Sequence, residues 1–215
     1  IKKKVIEDKQ ASLQTILKTT LESMHIWVKD LKHMLNVTAA DPRIVDLTAR
    51  LLESQKQGIV LTKSPELVEL QRIFSELQRR ASHIGYFIIA PDGTNLGSMR
   101  KENIGQINLI YQQRPELLKR AFNGETVFVP PIPSDVPLDG AAVIKGTNIP
   151  PTTFFAAPVR TSNGQIIAVL TQQFDPHGDF SHINRLGRIG KTGETYMFDS
   201  SGRLVTESRF LDDLI

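Results

Sequence analysis

From Leu17 the apolar positions fall at Leu17, Leu21, Met24, Val28, Leu31 and Leu35, alternating steps of four and three. That heptad spacing predicts one long helix over 4–35. A second apolar set, Leu13, Ile16, Trp27 and Met34, widens the stripe. Such a helix can bury one side on its own domain and still offer a strip to a partner. Asp41-Pro42 then reads as a helix start, with Asp as the cap and Pro in the first turn, where its missing N–H costs nothing. Ile44, Leu47, Leu51 and Leu52 give the buried face of a helix over 42–57, stopped by Gly58. Ser64-Pro65-Glu66 repeats the start signal, and Leu67, Leu70, Ile73, Phe74 and Leu77 carry a third helix over 65–83.

Beyond Gly85 the period changes from helical to alternating. Tyr86 to Ala90 is rich in strand formers, Pro91-Asp92-Gly93-Thr94 is a turn, and Thr94 to Met99 returns as the second arm of a hairpin. Arg114-Pro115-Glu116 opens a short helix closed by Asn123-Gly124. Thr126 to Val129 predicts a third strand, Thr152 to Val159 a fourth and Gln165 to Phe174 a fifth. The last two are joined by the hairpin turn Ser162-Asn163-Gly164. Between Pro130 and Pro151 lie six of the twelve prolines and two glycines, which predicts a long irregular loop. The fold class is therefore α+β: a long N-terminal helix, two further helices and a five-stranded antiparallel sheet. The tail repeats the opening of that sheet. Glu194 to Asp199, a Ser-Ser-Gly turn and Arg203 to Glu207 mirror Tyr86 to Met99. This divides the chain into a helical region over 1–83, a sheet module over 84–176, and a linker with the first strands of an incomplete second module over 177–215.

Composition narrows the function. Lys and Arg number 26 against 23 acids, a formal charge of +3, and the basic residues form no groove-like run, so nucleic acid is not indicated. Cysteine is absent, which excludes disulfide frameworks, Cys-zinc sites, iron–sulfur clusters and a thiol nucleophile. No run approaches the ~18 apolar residues of a membrane span. The chain, opening on Ile1, reads as a segment of a longer protein. Enzyme motifs fail on inspection. Ser98 lies in Leu96-Gly97-Ser98-Met99, without the second glycine of a nucleophile elbow. Gly190-Lys191-Thr192 lacks the leading glycine of a phosphate loop, where Arg185 stands, and precedes a predicted strand. Asp175, His177, Asp179 and His182 are metal-capable, but Pro176 and Gly178 interrupt them, and they read as a solvated loop. No metal site, cofactor or catalytic residue is assigned.

The residues together resemble a known family. The long first helix, Gly85-Tyr-Phe-Ile-Ile-Ala-Pro-Asp-Gly93, Gly164 to Gln173 and Gly187 to Asp199 with Gly202 are similar, in their order, to double Cache domains. These are the PAS-like extracytoplasmic sensors of bacterial transmembrane receptors. Asn103 to Gln106, Arg114 to Leu118 and Phe128 to Pro131 resemble a subgroup often joined to histidine kinases or cyclases. The resemblance implies a periplasmic part of an inner-membrane receptor, flanking membrane helices, and a cytoplasmic output domain, here a histidine kinase. It also implies a small-molecule ligand between the sheet and the crossover loop, and homodimerisation through the long helix. A diguanylate cyclase or chemoreceptor sensor, or a ligand-free structural module, is the alternative.

Strand alternation puts Val169, Thr171 and Gln173 on one face of the fifth strand and Ile166, Ala168 and Leu170 on the other. The first set turns polar toward its end, as a pocket wall would. Gln173 stands where amine-sensing relatives carry Asp, and Arg114-Pro-Glu-Leu replaces the family's Arg-x-Trp-Tyr element, so an ordinary amino-acid receptor is disfavoured. Arg100 and Arg114 supply planar forks suited to a carboxylate, or else are solvated surface charges. Ser98 and Thr171 add hydroxyls. Tyr111, Phe128 and Phe155 read as apolar pocket walls or equally as ordinary core. The expected ligand is a small organic acid or another small polar molecule.

Overall fold

The computed structural model describes residues 2–79, 83–134, 151–176, 179–188 and 193–198, together with 202, 204, 206, 208 and 210. Helix α1 spans Lys2–Ala39, α2 Pro42–Lys56 and α3 Pro65–Gln78. The sheet is formed by β1 (His83–Ile89), β2 (Asn95–Ser98), β3 (Val127–Pro133), β4 (Pro151–Arg160) and β5 (Ile166–Phe174). Between β2 and β3 lie α4 (Leu109–Gln113) and α5 (Pro115–Phe122). A last helix, α6, spans Asp179–Arg185. Two compact units result: Leu31–Asp175, and Ile1–Asp30 with Pro176–Ile215. Helix α1 therefore gives its residues up to Asp30 to one unit and those from Leu31 to the other.

The capping chemistry read from sequence is realised. The Asp41 carboxylate accepts the Arg43 backbone N–H at 2.9 Å, and the Ser64 hydroxyl accepts that of Leu67 at 3.2 Å. The Arg43 guanidinium also holds Asp41, keeping its carboxyl below the usual range. In the larger unit Leu31, Leu35 and Ala39 of α1 are buried, with Leu51 of α2 and Leu67, Leu70, Ile73 and Phe74 of α3. Leu17 and Leu21, nearer the start of the same heptad stripe, are exposed.

The strand order is β2-β1-β5-β4-β3, and every pairing is antiparallel. β5 is central and fully flanked, so its side chains have only two directions. The register links Ser98, Phe87, Thr171, Ala156 and Val127 in one row across all five strands. The row above it is Gly85, Gln173, Phe154 and Val129. Both rows belong to the face covered by α4 and α5, where Leu109, Ile110, Leu118 and Ala121 pack on Ile89, Val127, Val129, Phe154, Ala156 and Val169. The opposite face carries Tyr86, Gln172, Phe155 and Phe128 in a row. That face meets α2 and α3, and Phe74 of α3 stacks on Tyr86 with ring centroids 3.8 Å apart.

Several boundaries differ from the sequence reading, each for a tertiary reason. The third helix ends at Gln78 instead of reaching residue 83, because His83 and Gly85 pair with Phe174 and Gln173 of β5. The third strand continues through Pro130, Pro131 and Pro133, where a loop was expected. It is an edge strand with an irregularity between Val129 and Ile132, a setting that tolerates residues lacking an N–H. Residues 135–150 of the expected loop lie outside the described residues.

In the smaller unit α6 replaces the solvated loop expected around Asp179 and His182, with Ser181 donating from its hydroxyl to the Pro176 carbonyl at 2.6 Å. Among the described residues no His, Asp and Glu group is arranged to hold a metal ion. Asn184 donates to the Thr195 carbonyl at 2.7 Å, and Thr195 donates to that of Gly187 at 2.8 Å. A side chain at Gly187 would strike the Thr195 hydroxyl and approach Thr20 of α1. Of the repeated hairpin, the described residues show one antiparallel bridge, Phe198 to Leu204, with the Met197 N–H donating to Thr206 Oγ1 at 3.1 Å. Gly190-Lys191-Thr192 lies outside the described residues. No helix among them is long and apolar enough to cross a membrane.

Removing the cap of α3 tests this local logic: Ser64→Ala lowers unfolding free energy by about 1 kcal/mol in chemical denaturation, with the denaturant slope unchanged.

Candidate ligand-binding site

β2 leaves β1 at Ser98, and the chain turns away through a short 3₁₀ turn at Lys101–Asn103. The gap this opens, bounded by the ends of β1, β2, β5 and α3, is a cavity of about 270 Å³. Ser98, Arg100 and Gln173 line it, joined by Gln78, Ile84, Gly85, Tyr86, Phe87, Met99 and Asn103. Its size falls at the small end of ligand pockets, which run from about 300 to 1,000 Å³.

The wall is held rigidly. Ser98 Oγ accepts the Arg100 backbone N–H at 3.2 Å and Asn103 Nδ2 at 3.5 Å. From α3, Gln71 Nε2 donates to the Ser98 carbonyl at 2.9 Å and to that of Met99 at 3.3 Å. Gln173 Nε2 donates to Thr152 Oγ1 at 2.8 Å, which fixes the amide across β4. Gly85 stands opposite Gln173, and a Cβ there would sit 3.0 Å from Gln173 Oε1. Glycine in this strand therefore makes room for a long polar side chain.

The electrostatics are one-sided. Arg100 is the only charged residue among the described residues that line the cavity. Two buried hydroxyls near this end of the sheet have no hydrogen-bond partner among the described residues: Thr171 Oγ1, fully buried on the α5 face, and Tyr86 Oη. Burial pushes the Tyr86 phenol above its usual pKa range, so it stays a protonated donor. An orphaned buried hydroxyl costs about 1–3 kcal/mol, which makes both positions notable.

The eight residues singled out in sequence separate. Ser98, Arg100 and Gln173 meet in the cavity wall, and Thr171 lies one row further along the same face. Phe128 and Phe155 do not join them. They face each other on the opposite side of the sheet, centroids 5.0 Å apart, with Phe174 edge-on to Phe155. Strand parity is the reason: odd positions of β5 share a face with even positions of β4, so Phe154 and not Phe155 accompanies Gln173. Tyr111 also lies elsewhere. It covers the β1–β2 turn, where Gly93 has φ +87° and a Cβ would meet the Tyr111 ring at 2.6 Å. Arg114 occupies the N-cap position of α5, beside Gln113, whose Nε2 donates to the Pro133 carbonyl at 3.0 Å, at the end of β3. Sequence reasoning missed Gln78, Tyr86, Phe87, Met99 and Asn103. The available signal was Gly85, a glycine inside a strand and antiparallel to a run ending in Gln172-Gln173.

No protein-family profile matches the chain, and no curated protein is similar to it in sequence. Solved structures do match. The sensor domain of the Vibrio cholerae histidine kinase DctB superposes with a TM-score of 0.57 at 16% identity, covering 85% of this chain and 61% of that domain. The ligand-binding domain of the Campylobacter jejuni chemoreceptor Tlp3, solved with L-valine, gives 0.60 at 12% identity over 99% of this chain and 75% of that one. That of the Pseudomonas aeruginosa amino acid chemoreceptor PctC, solved with GABA, gives 0.52 at 14% identity, covering 94% and 77%. The chain thus spans about three fifths of the DctB domain. Its fold, α+β with a long first helix and a five-stranded antiparallel sheet, is the one these sensor and ligand-binding domains share.

The Gly85–Gln173 fit is open to a double-mutant test. Gly85→Ala lowers stability by about 1 kcal/mol in the natural chain and by clearly less when Gln173 is also Ala. Equal costs in both backgrounds, measured by urea denaturation, would show that the two side chains are independent.

Proposed function

We propose that the unit Leu31–Asp175 is the ligand-binding module of an extracytoplasmic sensor, and that its ligand is a small carboxylate. The observation that carries this is the composition of the cavity wall: among the described residues that line it, Arg100 stands with amide and hydroxyl groups and with no Asp or Glu. An arginine fork matches a carboxylate in shape and charge. The likeness to the DctB sensor domain supports a receptor with a histidine kinase output, and the likeness to Tlp3 and PctC keeps a chemoreceptor output as the second reading. Membrane helices flanking the sensor and a periplasmic location follow from the same reading. The exposed Met34 and Val37 of α1 support pairing of that helix with a second copy of the chain.

Binding to the folded state raises the melting temperature with ligand concentration. In a thermal-shift panel of mono- and dicarboxylates, amino acids, amines and sugars, acids are expected to stabilise the chain while amines leave it unchanged. Arg100→Ala is expected to weaken the response to the best acid by about tenfold or more. Stabilisation by amines alone, or by nothing in the panel, would overturn the carboxylate reading; the latter result would favour a structural module.

A further inference from the structure

Tyr86 belongs to the α3 face of the sheet, with Gln172 and Phe155, yet it lines the same cavity as Gln173 and Ser98 of the other face. The divergence of β2 explains this. The β1–β2 pairing ends at Phe87 and Ser98, so positions 84–86 of β1 have no strand neighbour on that side among the described residues. The cavity reaches around this edge and touches both sides of β1. On the α3 side the wall is built from one stripe of that helix. Gln71 anchors β2, Phe74 stacks on the Tyr86 ring at an interplanar angle of 14°, and Gln78 lines the opening. These positions are three and four residues apart and lie along one face of α3.

Tyr86 is 1% exposed, and its hydroxyl has no partner among the described residues. Neighbouring polar groups are engaged: Gln173 Nε2 by Thr152, and Ser98 Oγ by Arg100 and Asn103. A donor that is dry, aimed by a stacked ring and left unsatisfied is costly unless something binds to it. Resting on the carboxylate reading above, we infer that Tyr86 is a ligand-binding residue whose Oη–H donates to an oxygen of the bound acid. One carboxylate oxygen can take the phenol proton while Arg100 supplies the balancing charge. The ligand is then held from both sides of β1, with the α3 side providing a neutral donor.

The test uses the chain labelled with 3-fluorotyrosine. Its three tyrosines, Tyr86, Tyr111 and Tyr196, give three fluorine resonances, assigned by Tyr→Phe variants. Succinate, malate and propionate are titrated, with succinamide as the uncharged control. An acid that stabilises the natural chain is expected to shift the Tyr86 resonance saturably and leave the other two in place. Tyr86→Phe keeps the ring stack; it should melt no lower than the natural chain without ligand, and bind that acid on the order of tenfold more weakly. An acid that binds the natural chain but moves no Tyr86 signal, and binds Y86F within twofold, overturns the assignment alone. A lowered melting point of ligand-free Y86F overturns it as well, because the hydroxyl would then be satisfied without ligand. A natural chain that none of the three acids stabilises overturns the carboxylate reading and this assignment together.

Discussion

The two-sidedness of β5 governs the larger unit. A central strand paired on both edges leaves its side chains two directions and no third. Val169, Thr171 and Gln173 go to the α5 side, Leu170, Gln172 and Phe174 to the α3 side, and the neighbouring strands inherit the same division through their register. The α5 side is closed by aliphatic packing at one end and turns polar at the other, where Gln173 and Thr152 pair. Cavity, core and helix docking are all consequences of that single alternation. A slip of one residue between β4 and β5 would place Phe155 where Phe154 stands and reverse every face.

The cavity exists because one strand is shorter than its neighbours. β1 runs from His83 and β5 to Phe174, but β2 stops at Ser98 and the chain turns aside. The ladder row that would follow Phe87–Ser98 is replaced by a recess walled by Met99, Arg100 and Asn103. Holding such a recess open requires that its rim be tied down. The carboxamide of Gln71 does this from α3 by engaging two consecutive carbonyls of the departing strand. Helix, sheet edge and recess therefore form one mechanical group.

Local signals made much of this legible in advance. Asp41-Pro42 and Ser64-Pro65 start helices because the cap and the proline act within three residues, and both caps are seen. Pro91-Asp92-Gly93 and Ser162-Asn163-Gly164 turn where expected, with the Ala90 N–H bonded to the Thr94 carbonyl and the Thr161 N–H to that of Gln165. The sorting of Thr171 and Gln173 from Leu170 follows from alternation within one strand. What could not be read was any quantity that depends on register between strands. Phe128 and Phe155 are indistinguishable from pocket walls until β4 is laid against β5, and Tyr86 could not be connected to Gln173 because parity alone assigns them to opposite faces. The end of α3 was misjudged for a similar reason, since the pairing that stops it comes from a strand some ninety residues later.

The proline content of β3 has a further consequence. An outermost strand invites recruitment of another chain, because its unused N–H and C=O groups can template growth. Here Pro130 and Pro131 are adjacent, and Pro133 follows closely. Donors are thereby deleted on both flanks of the strand, and the local irregularity after Val129 bends what remains. The sheet is terminated at β3 by backbone chemistry, which works against fibril-like stacking along that border.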